Sequence, residues 1–278
     1  MYPTSVWSGC APGHHGYQRV CDLISGQASS GPNGSPVFAY AGKTDPPSLL
    51  ILSQTLAGIR PLVGPNTAVI PLQNGVDASE RLIPILGKNA VMGGVAQISG
   101  TLSEPGVIRQ TGTFMRLVFG ELDGRSSQRA AAFHSLCQSA GFDSVNSNEI
   151  LTALWDKFVL LATNSSVAAL TRLPLGKWRD DPEVLALSQK GFSEVAAVGR
   201  ARGVALPADI EAGALQFTRN APPELMPSMA IDLLRGKRLE LPWLGGKVVA
   251  LGRELGVPTP THDVMYAALK PYANGAPA

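Results

Sequence analysis

The chain is short of charge, of cysteine and of long apolar runs. Charged residues make up 16% of its 278 positions and the formal net charge is only +2. A polyanion would find no broad basic field, and no run of like charges marks a nucleic-acid arm, so nucleic acid is not an expected partner. The three cysteines, Cys10, Cys21 and Cys137, form an odd set without metal-ligand spacing and support no disulfide framework. His14 and His15 are adjacent while His134 and His262 stand apart, so no metal constellation forms and no metal is expected. The apolar stretch from Phe158 to Ala162 is far too short to cross a bilayer, and Met1-Tyr2-Pro3-Thr4 shows no basic flank ahead of an apolar segment. No membrane partner is expected, and the expected location is the cytoplasm.

What remains is the composition of an ordinary globular protein, 45% hydrophobic, with enough chain for two domains. Residues 1–47 carry Gly-Pro-Ser clusters with no sustained period of 2 or 3.6 and read as an irregular leader. Residues 48–125 alternate. A helix is predicted over 54–62, a strand over 67–72, a helix over 78–86, and strands over 90–98, 106–110 and 115–120. From 126 to 278 apolar residues recur at helical spacing, over 127–140, 148–171, 182–202, 208–219, 228–236, 243–255 and 261–270. The fold class is therefore α/β followed by all-α. Punctuation agrees with it: Asn148 with Glu149 can open the long helix, Asp181-Pro182 opens another, and Gly203 and Gly256 end helices with a proline shortly beyond.

Chemistry-bearing residues are few. In TAVIPLQNGVDASERL a β-rich run ends at Gln73-Asn74-Gly75, which is either a turn pair or the carboxyl end of a strand, where open α/β sheets hold ligands. Lys157 lies in EILTALWDKFVLLATNSSVAALTR, a helix apolar around most of its girth. Such a lysine either snorkels to solvent or sits in a site where a shifted pKa serves proton transfer. Asn164 and Ser165 follow two turns on, on roughly the same face, so an ammonium, an amide and a hydroxyl can be presented together. Ser228 and Glu240 stand twelve residues apart in PSMAIDLLRGKRLELPWLGG. By themselves they read as a helix N-cap and a solvated carboxylate facing Lys237 or Arg238.

QNGVDASERL, then GGVAQISGTLSEPGVIRQTG, LWDKF, SM with a glutamate twelve on, and LGRELGVPTPTHDVMYAALK are specific in their order and spacing. Together, from about Thr55 to Tyr272, they resemble the ketopantoate reductase (2-dehydropantoate 2-reductase) family. The resemblance implies a Rossmann-like, doubly wound domain followed by a helical C-terminal domain. It also implies NADPH-dependent reduction of a 2-oxo acid, 2-dehydropantoate, to pantoate on the way to pantothenate and coenzyme A. On that pattern Lys157 is the general acid, Ser228 contacts the substrate carboxylate, Glu240 holds substrate hydroxyls, and Asn74 lies between nicotinamide and substrate. The family's asparagines four and eight residues after the lysine are here Leu161 and Ser165, so Ser165 and the nearby Asn164 become the substrate contacts to consider.

The family also begins with a strand and G-x-G-x-x-G, whose glycines admit a pyrophosphate to a helix N-terminus. Nothing in residues 1–47 matches that pattern; Gly9-Cys10-Ala11-Pro12-Gly13-His14-His15-Gly16 has the wrong spacing. The lysine that follows the family's fourth strand would fall near Ser48, and Lys43 is only an off-register stand-in. The expectation is a truncated or replaced N-terminal half and NADPH binding that is poor or absent. Two function classes stay open: an NADP-dependent enzyme of this family, or a non-catalytic remnant whose helical domain binds a small acid or forms a homodimer. A third, another hydroxyacid dehydrogenase of similar layout, is disfavoured by the Ser228/Glu240 spacing.

Overall fold

The computed structural model describes residue 60 and residues 63–65, 67–104 and 107–277, with side chains from 99 to 114 left out. The readings of the leader, of Cys10, Cys21 and Lys43, and of the helix over 54–62 apart from Arg60, lie outside the described residues. Two compact units divide the rest. The first holds the described residues up to Gln73 and Ala78–Ile150, and the second holds Asn74–Asp77 and Leu151 onward.

In the first unit the order is α1 (Ala78–Leu86), β1 (Gly93–Glu104), β2 (Val107–Gly120), α2 (Gln128–Ser139) and β3 (Ser144–Asn146). The runs read as separate strands over 106–110 and 115–120 are one strand, because β1 and β2 pair as a long antiparallel hairpin from Gly93↔Gly120 to Glu104↔Val107. That pairing also carries β1 beyond residue 98. β3 was not foreseen: three residues are too few to show a period, and they are strand only because they lie parallel to β2 at Leu117, Val118 and Phe119. At this edge Gly120 admits the neighbouring backbone, since an added Cβ would stand 1.9 Å from the Ser147 carbonyl oxygen.

The strand expected over 67–72 reduces, among the described residues, to one parallel bridge between Val69 and Val91. Val69 donates to Ala90 and accepts from Met92, and two residues later Pro71 has no N–H with which to continue the ladder. Ala68 and Ile70 still join Met92, Leu117, Phe119, Ala130, Phe133 and Cys137 in the core of this unit. Phe119 and Phe133 meet at 4.7 Å between centroids. Burial pushes the Cys137 thiol up to about 11, so it is packing material and no nucleophile.

The second unit is helical. Its elements are α3 (Ile150–Thr171), α4 (Pro182–Ala201), α5 (Ile210–Asn220), α6 (Ser228–Leu234), α7 (Gly245–Leu255) and α8 (Pro260–Leu269). Periodicity placed all six within a few residues. Asp181 caps α4 by accepting from the Glu183 and Val184 amides, with Pro182 at the first position, and Gly256 ends α7 in the left-handed region at φ 68°. One opening differs from the reading: α3 starts at Ile150, so Asn148 and Glu149 precede it, and Ser147 Oγ accepts from the Glu149 amide.

α3 is the axis of this unit. Trp155, Phe158, Val159 and Ala162 pack with Phe192 and Val195 of α4, Met229 of α6 and Val248 of α7. Residues 162 to 169 are all buried, which leaves Thr163, Asn164, Ser165 and Ser166 as a polar belt inside an apolar core. Across α4 and α8, Glu194 accepts from the Thr261 and His262 amides at 2.7 and 3.0 Å and faces His262 Nδ1 at 2.8 Å. A carboxylate borrowed from another helix thus satisfies the first turn of α8, whose own N-cap residue Thr259 makes no side-chain cap. Among the described residues no helix is long and apolar enough to cross a membrane.

Candidate active site

The second unit assembles three of the six residues singled out in the sequence. Lys157 Nζ donates to Asn74 Oδ1 at 3.0 Å, and Asn74 Nδ2 donates to Glu240 Oε2 at 3.0 Å. One amide therefore links an ammonium to a carboxylate, using its acceptor on one side and its donor on the other. The orientation of the amide follows from its partners: the reverse would set an NH2 against an ammonium and an oxygen against a carboxylate.

Each side chain is placed by a local cause. Lys157 sits mid-helix between Trp155 and Phe158, both buried, so its stem leaves α3 on the half-buried side. Asn74 opens a bend over residues 74–76, in which Gly75 takes φ 97°, a conformation costly for a side-chain-bearing residue. Glu240 opens the 3-10 turn Leu241–Trp243, its carbonyl accepting from the Trp243 and Leu244 amides. It is 2% exposed. The solvated glutamate facing Lys237 or Arg238 is thus replaced by a buried one, because Leu239 and Leu241 on either side are core residues and carry it in with them.

Burial pushes the Lys157 ammonium down to about 8, and the charge of Glu240 holds it against a larger fall. Snorkelling does not describe this lysine. Near neutral pH it remains mostly protonated yet gives up its proton far more readily than an ordinary lysine.

The other three residues go elsewhere or stay at the margin. Asn164 Nδ2 donates to Thr218 Oγ1 of α5 at 2.9 Å, so its amide is engaged there and not with Lys157. Seven residues along a helix amount to about 10 Å of rise, beyond an asparagine's reach. Ser165 is 1% exposed and its Oγ has no hydrogen-bond partner. Ser228 is the first residue of α6 and is half-buried; the N-cap is Pro227, so the capping role read for Ser228 does not hold.

Two residues that the sequence did not single out flank the trio. Asp77 is 6% exposed and pairs with Lys247 of α7, Oδ2 to Nζ at 3.0 Å. The available signal was spacing alone: Asp77 follows Asn74 by three residues and Lys247 follows Glu240 by seven.

The chain is similar to known proteins in sequence and in fold. The model for ketopantoate reductase PanE/ApbA matches residues 50–124, and the model for the ketopantoate reductase PanE/ApbA C terminal matches residues 149–273. A 2-dehydropantoate 2-reductase of Mycobacterium tuberculosis is 29% identical over 209 residues, covering 75% of this chain and 68% of the relative. Among solved structures, a PanE/ApbA family ketopantoate reductase from Ralstonia eutropha has a TM-score of 0.73 at 29% identity, covering 81% of this chain and 72% of that one. A 2-dehydropantoate 2-reductase from Geobacter metallireducens has a TM-score of 0.76 at 27% identity, covering 85% and 77%.

Proposed function

The chain belongs to the ketopantoate reductase family, and on that premise we propose that it reduces the ketone of 2-dehydropantoate to the alcohol, with NADPH as reductant. The observation that carries the proposal is the relay Lys157–Asn74–Glu240, an easily deprotonated ammonium held beside an amide and a buried carboxylate. In the proposed reaction Lys157 Nζ donates its proton to the ketone oxygen as that oxygen becomes an alkoxide. Asn74 keeps Nζ oriented, and Glu240, with accepting capacity left after its bond to Asn74, takes a substrate hydroxyl. Ser228 is the proposed contact for the substrate carboxylate. Ser165, buried with its hydroxyl unpaired, is the further substrate contact offered by α3.

The place proposed for the reacting end of the cofactor is Asn74, which accepts from Lys157 Nζ. When bound, a reduced nicotinamide supplies the hydride. Everything else in the scheme is positioning and proton transfer by the chain itself.

The test is direct. The purified chain is mixed with NADPH and 2-dehydropantoate, with other 2-oxo acids in parallel, and cofactor oxidation is followed. Oxidation that requires the keto acid, needs high NADPH because the sequence carries no recognisable phosphate loop, and is lost in Lys157→Met is the expected result. Failure with every 2-oxo acid removes the reading and leaves the alternative, a non-catalytic helical domain that binds a small acid.

A further inference from the structure

The segment Asn74–Asp77 is held against the stretch Glu240–Lys247 at three points that run in the same direction along both segments. Asn74 meets Glu240, Gly75 lies under the Trp243 carbonyl so closely that an added Cβ would stand 3.1 Å from its oxygen, and Asp77 meets Lys247. Between them Val76 packs against the apolar core of the helical unit. The last contact differs from the others in kind. Asp77 is nearly buried and its Oδ1 has no hydrogen-bond partner, so Lys247 is the charge that compensates a carboxylate taken out of water.

We propose that Asp77 and Lys247 are a positioning pair: their ion pair anchors the segment that carries Asn74 and so sets the reach of Asn74 to Lys157 and Glu240. Neither touches the reacting atoms. The pair acts on the reaction only through Asn74, three residues from Asp77, and the inference takes its catalytic meaning from the reductase reading above. A merely structural salt bridge would tie α7 to the segment without consequence for Lys157. A positioning pair must change the surroundings of the Lys157 ammonium when it is broken, because Asn74 retreats and water enters in its place.

The experiment measures the titration of Lys157 in the full chain by NMR of isotope-labelled lysine, with Lys157→Arg to assign the signal. Wild type is compared with Lys247→Met, Asp77→Asn and the conservative Lys247→Arg, each first checked by thermal melting. In folded Lys247→Met or Asp77→Asn the Lys157 titration should move up from about 8 toward the ordinary lysine value, since desolvation is the main cause of its depression. Lys247→Arg should restore it. Where wild type is active, turnover in the two broken-pair variants should fall roughly tenfold with KM changed less, as misplacement of a catalytic group predicts. Asp77→Asn is nearly isosteric and serves as the readout should Lys247→Met not fold. A Lys157 titration that is unmoved in either folded variant overturns the proposal, whatever the activity. An inactive wild type with a shifted titration would instead sink the reductase reading and leave the positioning role standing.

Discussion

Lys157 Nζ lies 3.0 Å from Asn74 Oδ1, although eighty-three positions separate them in the chain. The ammonium is thereby held at a defined place by a neutral acceptor, while burial brings its pKa down to about 8. If Lys157 is the general acid, its protonated form is the active one. Activity should therefore hold below about pH 8 and decline above it, where an unperturbed lysine would sustain it for a further two units or so. A kcat/KM profile checks this. A profile flat to about pH 10 would take Lys157 out of the acid role, whereas Lys157→Met should cost at least roughly a hundredfold in turnover and abolish that limb.

Glu240→Gln separates charge from shape. The amide keeps the volume but removes the negative charge that props up the Lys157 ammonium. The alkaline limb should then move to lower pH, opposite to the shift expected on breaking the Asp77–Lys247 pair. Pantoate binding, followed by calorimetric titration, should weaken by about 1–3 kcal/mol if the carboxylate receives a substrate hydroxyl. Unchanged affinity together with an unmoved limb would reduce Glu240 to a scaffold residue.

Acid stability should depend on Glu194. Burial alone would raise its carboxyl, but hydrogen bonds from His262 and Thr261 outweigh that and hold it below the usual glutamate value. A folded pKa below the unfolded one means that the unfolded chain binds more protons in the acid range. The stabilisation is thus complete above the unfolded value, about pH 4.3, and is lost as pH falls through the folded value. Glu194→Gln should lower stability by about 2 kcal/mol at neutral pH. The gap from wild type in denaturant titrations should narrow below about pH 4; a gap that widened there would contradict the assignment.

Gly75→Ala tests the turn. At φ 97° alanine is strained by about 1–2 kcal/mol, and its Cβ would also press on the Trp243 carbonyl. Gly203→Ala is the control, because Gly203 has φ 84° but nothing within 4 Å of an added Cβ. Both variants should lose stability in a melt, and only Gly75→Ala should also lose turnover. Equal turnover in the two would show that the turn's position does not matter to the site.

The helical unit was largely legible because its signals are local. A 3.6-residue period, Asp181-Pro182 at a start and Gly256 at an end each act within a turn or two of themselves, so the residues that encode an element are the residues that form it. The same locality explains why Asn74 and Lys157 could be named, the first at a turn beside a strand-like run and the second as a charge on an apolar helix. What the sequence alone determined is therefore the order and type of most elements and a short set of candidate residues. Their relations were decided by packing. In the strand-like run over 67–72, Val69 forms one bridge instead of a ladder since Pro71 lacks a donor, and β3 exists solely through its pairing with β2. Glu240 looks like a surface residue among Lys237 and Arg238 until Leu239 and Leu241 draw it into the core, where Asn74, 166 positions away, becomes its partner. Asn164 shares a helix face with Lys157 and yet pairs with Thr218, because a buried amide takes the nearest hydrogen-bonding group that a neighbouring helix offers. Burial and partnership belong to the folded chain, and only its tertiary structure could assign them.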